Sequence, residues 1–190
     1  MQQSLALFYN PYLRLWQGWW SMWFGLWTTP LPMDRFHVHT IDIHRASLDD
    51  FNVGDSARLS HCVELQDVEA FAGLTGDVNP VHLDEAYARE TIFRERIAHG
   101  MYTGSFFGTI FGTALPGPGA IYVRQSLSFK APVKLGDEIK VTVELVELMP
   151  ERRARFECRA LVGNRTVLTG EAVLLLPERS SAARPQLKVV

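Results

Sequence analysis

Residues 75–84, TGDVNPVHLD, place a carboxylate, Asp77, and an imidazole, His82, five positions apart across a stiff Asn79-Pro80 step. Proline fixes its own φ and drives the preceding residue into an extended conformation, so such a loop can aim both side chains at one point. A carboxylate and an imidazole meeting at one water can take a proton from it and deliver a proton elsewhere. The spacing alone also fits plain structure, because Asp and Asn cap helices and His82 could be a satisfied buried residue. A second cluster, RIAHGM at 96–101, opens a long apolar run. If that run is a helix, its first N–H groups lack internal partners and sit at the positive end of the dipole. Gly100 there lets a carbonyl oxygen approach the backbone, which is what an oxyanion hole requires. His99 could be a second reacting group; its expected role is to fix the turn.

These side chains need a scaffold, and the pattern from about residue 47 onward is that of an α+β domain. Residues 56–63 read as a strand. Residues 66–74 read as a short helix with Val68, Phe71, Ala72 and Leu74 turned inward. Asp84 can cap another short helix through Arg89. Residues 100–115 read as a buried helix stopped by Pro116-Gly117-Pro118-Gly119. Four strands follow, at 121–129, 139–148, 153–162 and 165–175, with Gly163-Asn164 as a hairpin signal between the last two. Short connections make these strands antiparallel. One apolar helix followed by a meander predicts a sheet curled around that helix. The helix carries Gly100, Gly104, Gly108 and Gly112 on one stripe. Each glycine costs up to about 1 kcal/mol of helix propensity. The stripe therefore predicts close packing on the sheet, or a ligand running along its N-terminal end.

Composition sets outer limits. The chain has 190 residues, 47% of them hydrophobic and 21% charged, which excludes wholesale disorder. A formal charge of −2 supplies no general drive toward nucleic acid. Cys62 and Cys158 are too far apart in sequence for a zinc knuckle and read as reduced, mostly buried thiols. All five tryptophans fall within the first 27 residues, at steps that share one broad face of a helix. The segment lacks the basic start of a signal peptide and the length of a spanning helix. It could pack on the main domain or on a partner subunit, lie on a lipid or polymer surface, or be partly disordered. Residues 37–44 read as an extended linker. Its histidines, His37, His39 and His44, have Asp42 alone as a further ligand, and His is common in linkers, so no metal is expected. The chain thus divides into a Trp-rich segment with linker (1–46), a catalytic-type domain (47–177) and a polar tail (178–190).

Three runs in order, FAGLTGDVNPVHLD at 71–84, IAHGM at 97–101 and YVRQSLSFKAPVKLGD at 122–137, resemble the signatures of MaoC-like (R)-specific enoyl-CoA hydratases. The resemblance spans roughly residues 48–177. It implies a hot-dog fold, an antiparallel sheet wrapped around the long helix. It further implies a homodimer or higher homo-oligomer whose sheets join, with acyl-CoA bound near the subunit interface. The implied reaction is reversible hydration of a trans-2-enoyl-CoA to an (R)-3-hydroxyacyl-CoA. On this likeness Asp77 and His82 are the catalytic pair, Gly100 polarises the thioester carbonyl through its N–H, and Asn79 supports the pair. No metal or redox cofactor is implied, because the thioester supplies the activation. The implied setting is cytoplasmic, with the Trp-rich segment free to reach a lipid or polyester-granule surface.

One position departs from the family pattern: relatives carry serine where this chain has Gly108. For the CoA phosphates, Arg124 and Lys130 are the chosen cations among Arg94, Arg96, Arg124, Lys130 and Lys134. Phe106, Phe107, Ile110 and Phe111 fit either an acyl tunnel or the core. Two other kinds of protein share these features. One is another enzyme of the fold, a 3-hydroxyacyl-ACP dehydratase or an acyl-CoA thioesterase. The other is a non-catalytic acyl-CoA-binding subunit, which would have no use for Asp77 and His82.

Overall fold

Alternation of apolar and polar residues over the C-terminal half builds most of the sheet. In the computed structural model, which describes residues 41–44 and 50–177, that half forms β3 (Ile121–Phe129), β4 (Glu138–Met149), β5 (Arg153–Val162) and β6 (Arg165–Leu175). Contacts divide the chain into two units, 1–38 and 39–190, and every described residue belongs to the second. The Trp-rich segment and the polar tail lie outside the described residues.

The N-terminal part of the domain supplies β1 (Ile41–His44), β2 (Ser56–Cys62), α1 (Leu65–Thr75), α2 (Pro80–Leu83), α3 (Glu85–Glu90) and the long helix α4 (Gly100–Thr113). The six strands form one antiparallel sheet in the order β1-β2-β4-β5-β6-β3. Ile139, Val141, Val143 and Leu145 of β4 and Ala154, Phe156, Cys158 and Ala160 of β5 alternate inward. They form one core with Phe106, Phe107, Ile110 and Phe111 of α4. Register shifts at 145/147, 160/161 and 122/124 break the ladders. Such bulges add local twist and bend, which lets a sheet curve around a helix. The expected arrangement, a sheet around one long helix, is the one found.

Several expectations need correction. Part of the stretch read as a linker, Ile41–His44, is a strand, with Ile41 opposite Leu59 and His44 opposite Ser56. Its extended backbone finds its hydrogen bonds on the free edge of β2. Leu74 faces water, 86% exposed. It lies about 200° around the helix from buried Ala72. Cys62 is exposed at the end of β2, whereas Cys158 is buried. Burial pushes the Cys158 thiol up to about 12, so it is inert as a nucleophile.

Candidate functional site

Local chemistry shapes the loop between α1 and α2. Gly76 adopts a left-handed conformation (φ 77°) and its N–H closes α1 onto the Ala72 carbonyl. The side chain of Asn79 caps α2, accepting the Val81 N–H at 3.2 Å, with Pro80 in the first helical turn. Asp77 Oδ1 in turn accepts the Asn79 N–H at 3.3 Å. Asn79 thus ties the carboxylate to the helix that carries His82.

His82 is buried, and its Nδ1 lies 2.8 Å from the Ile97 carbonyl oxygen. A carbonyl only accepts, so Nδ1 donates and Nε2 of the neutral ring is left as a lone pair. Burial holds His82 below the ordinary imidazole range, and neighbouring His99 adds to that effect. The Ile97 carbonyl and Asp77 pull the other way without reversing it. The neutral ring is therefore the working form near pH 7, and it is a base. His99 directly precedes α4, and its Nε2 donates to the backbone carbonyl of Asp77 at 3.0 Å. The same nitrogen is 4.0 Å from Asp77 Oδ2, and the two imidazoles stack with centroids 3.8 Å apart. His99 thus clamps the loop to the start of α4 from a position only 2% exposed, while the Asp77 side chain is 53% exposed.

The start of α4 is held from its other side as well. The Tyr102 hydroxyl lies 2.7 Å from His61 Nε2, which lies 2.9 Å from Asp67 Oδ2. Burial pushes the Tyr102 hydroxyl far up, so it keeps its proton and stays a donor. This network ties α4 to β2 and α1, and it positions the first-turn N–H groups.

A cavity of about 310 Å³ opens at that turn, with His82, Gly100, Thr103, Phe129, Lys130 and Val133 in its wall. An imidazole lone pair and a helix N-terminus thus share one space, and Asp77 lies beside the imidazole. Asp77, His82 and His99 each offer a ligand atom within 4.8 Å of the others. The donor set suits a divalent metal poorly. His99 Nε2, the nitrogen 4.0 Å from Asp77 Oδ2, already donates to the Asp77 backbone carbonyl and keeps no lone pair for an ion.

The structure thus brings Asp77, Asn79, His82, His99 and Gly100 together. It separates the two chosen cations: Lys130 lines the cavity, whereas Arg124 does not. Six steps of extended chain, roughly 20 Å, separate them. Arg96 pairs with Glu85 at 3.1 Å, and Lys134 pairs with Glu95. Phe106, Phe107, Ile110 and Phe111 belong to the core and do not line this cavity. The glycine stripe divides. A Cβ at Gly100 would meet the Phe129 ring at 2.8 Å, and one at Gly104 would meet Leu127 at 3.1 Å. At Gly108 the nearest atom, of Tyr122, is 3.9 Å away, and at Gly112 nothing lies within 4 Å. Close packing explains the first two glycines only. Sequence reasoning missed the Ile97 carbonyl, Phe129 and Thr103. A backbone acceptor leaves no trace in residue type, but Thr103 lies one helical turn after Gly100 and was open to that inference.

Comparison with known proteins agrees with this geometry. A family model described as a MaoC like domain matches residues 34–166. The chain is 47% identical over 135 residues to a 3-hydroxybutyryl-CoA dehydratase of Methylorubrum extorquens, covering 70% of this chain and 86% of that protein. It is 46% identical over 132 residues to an (R)-specific enoyl-CoA hydratase of Rhodospirillum rubrum, covering 69% and 92%. Among solved structures, an (R)-hydratase from A. caviae involved in PHA biosynthesis matches with a TM-score of 0.66 at 45% identity, covering 67% of this chain and 98% of that one. The family match runs from before β1 to the first residues of β6 and takes in the Asp77–His82 loop and the whole of α4, so the chain belongs to the MaoC-like domain family.

Proposed function

We propose that this protein is an (R)-specific enoyl-CoA hydratase, which adds water reversibly to a trans-2-enoyl-CoA to give an (R)-3-hydroxyacyl-CoA. The names enoyl-CoA hydratase and 3-hydroxybutyryl-CoA dehydratase, each carried by a relative, describe two directions of one kind of equilibrium. The observation that carries the reading is that His82, within reach of Asp77, shares one cavity with Gly100 at the start of α4.

The steps follow from the geometry. The Gly100 N–H draws electron density toward the thioester oxygen, and C3 becomes electrophilic. Asp77 and the free Nε2 of His82 hold a water against C3 by accepting its two hydrogens. As the C3–O bond forms, the alkene electrons move to the thioester oxygen and the leaving proton passes to this pair. The enolate then collapses, and the proton returns to C2 from the same face. Atoms balance with water as the only added reactant, and no cofactor has a task. Asn79 and His99 position the pair. Lys130, at the cavity wall, is the cation placed to meet a CoA phosphate.

The proposed assembly is a homodimer joined at β3. This strand is an edge of the sheet and exposes Ile121, Tyr122 and Val123. An exposed apolar edge invites pairing with a second chain. Among the described residues no helix is long and apolar enough to cross a membrane. The proposed setting is the cytoplasm, with the Trp-rich segment at a lipid or polyester surface. Full-length protein should then co-sediment with such particles, and a chain lacking residues 1–33 should not. The activity itself is tested with crotonyl-CoA: the enoyl-thioester absorbance should fall with no free thiol released. Thiol release would mark a thioesterase, and turnover of crotonyl-ACP alone would mark a carrier-protein dehydratase.

A further inference from the structure

The first turn of α4 carries a side chain to which neither the motifs nor the reaction steps above give a task. Thr103 lies three residues after Gly100 on the same helical face and lines the same cavity as Gly100 and His82. Helical side chains lean toward the N-terminus, so Thr103 stands over the turn whose N–H groups are open. The residue is 2% exposed, yet its hydroxyl has no hydrogen-bond partner. Threonine in a helix usually escapes this by bonding the carbonyl four residues back. Here the His99 carbonyl accepts the Thr103 backbone N–H at 3.4 Å, but the hydroxyl does not share it. The cavity wall is largely apolar, with Ile97, Phe129, Val133 and Leu168, and its polar members, His82 and Lys130, make no hydrogen bond to the hydroxyl. An unpaired buried hydroxyl costs stability. A group kept at that cost beside an open helix terminus is arranged for a ligand.

We propose that Thr103 is a second hydrogen-bond donor to the thioester oxygen of the bound acyl-CoA, beside the N–H of Gly100. The inference rests on the hydration reading and deepens it. As water adds at C3 and negative charge moves onto the oxygen, both bonds strengthen. They relax again when C2 takes its proton, so the interaction favours the transition state over the ground state.

The test uses the full chain as wild type, Thr103→Val and Thr103→Ser, with two readouts. One is steady-state hydration of crotonyl-CoA. The other is the infrared carbonyl band of bound butyryl-CoA carrying ¹³C at the thioester carbon, a saturated ligand that cannot be hydrated. Thr103→Val should lower kcat about 100-fold, the loss expected for one oxyanion donor. Its KM should stay within about threefold, and Thr103→Ser should restore kcat to within about threefold of wild type. The carbonyl band should lie nearer its free-solution position in Thr103→Val than in wild type. Because the valine removes an orphaned hydroxyl, its melting temperature should match or exceed that of wild type. Wild-type kcat in Thr103→Val, an unchanged band, or a marked drop in melting temperature would each overturn the assignment. If wild type fails to hydrate crotonyl-CoA while the band still differs between the two proteins, the hydration reading falls and the thioester contact stands.

Discussion

Gly100→Ala tests how the cavity is shared between helix and sheet. A Cβ at this position lies 2.8 Å from Phe129 Cε1 and 3.0 Å from Cδ1. Ordinary carbon contacts sit at about 3.5–4.0 Å, so the ring must retreat by roughly 1 Å. Phe129 is 53% exposed and has room to do so. Overpacking a closed site costs about 1–3 kcal/mol. Here the ring yields, and alanine regains up to about 1 kcal/mol of helix propensity. The melting temperature should therefore move by no more than about 4 °C in a domain of this size. Activity is another matter, because Gly100 and Phe129 wall the same cavity. A displacement of about 1 Å in a positioned reactant can cost about 100-fold in rate. Gly100→Ala should thus lose about two orders of magnitude in kcat/KM for crotonyl-CoA, followed through the enoyl-thioester absorbance. Adding Phe129→Leu, which makes room for the methyl group, should recover at least tenfold, a coupling of about 1.4 kcal/mol. Wild-type kcat/KM in the single variant, or no recovery in the double variant, would refute the reasoning.

Other outcomes follow from the same geometry. Asp77→Asn and His82→Gln should each cut turnover by at least about 100-fold while circular dichroism and melting stay close to wild type. Because burial holds His82 below its ordinary value of 6.5, the neutral base persists into acid. The acid limb of kcat/KM must then fall below pH 6.5, and a limb above it would contradict the assignment. The sign for stability is the same. A lowered folded-state value adds stability that is fully present above the unfolded value and is lost as pH falls through the folded one. Gly112→Ala, where a Cβ meets nothing within 4 Å, should raise stability by up to about 1 kcal/mol in thermal melts. Gly104→Ala should gain less, because Leu127 must give way at 3.1 Å.

Much of this was legible in the residues. Strands β3 to β6 follow from alternation and from the Gly163-Asn164 turn, and they end where the pattern ends. The loop carrying Asp77 and His82 was legible because Pro80 and Asn79 leave it few conformations. What stayed hidden depends on long-range pairing. Eleven residues of sequence, 45–55, separate β1 from β2, so its partner could not be read locally. Leu74 sits at the end of a helix whose packed side stops before it. Arg124 and Lys130 look alike in sequence, and only the position of the cavity along β3 tells them apart. The proton on His82 Nδ1 is fixed by a backbone carbonyl fifteen residues away, a partner with no side-chain signature.

The most direct measurement is hydration of crotonyl-CoA by the full chain in D₂O, with the configuration of the product read at C2 and C3 by NMR. One carboxylate–imidazole pair that both activates the water and returns its proton predicts a single product, R at C3, with oxygen and deuterium added to the same face. Addition to opposite faces, a mixture at C2, an S centre at C3 or no addition at all would contradict the account.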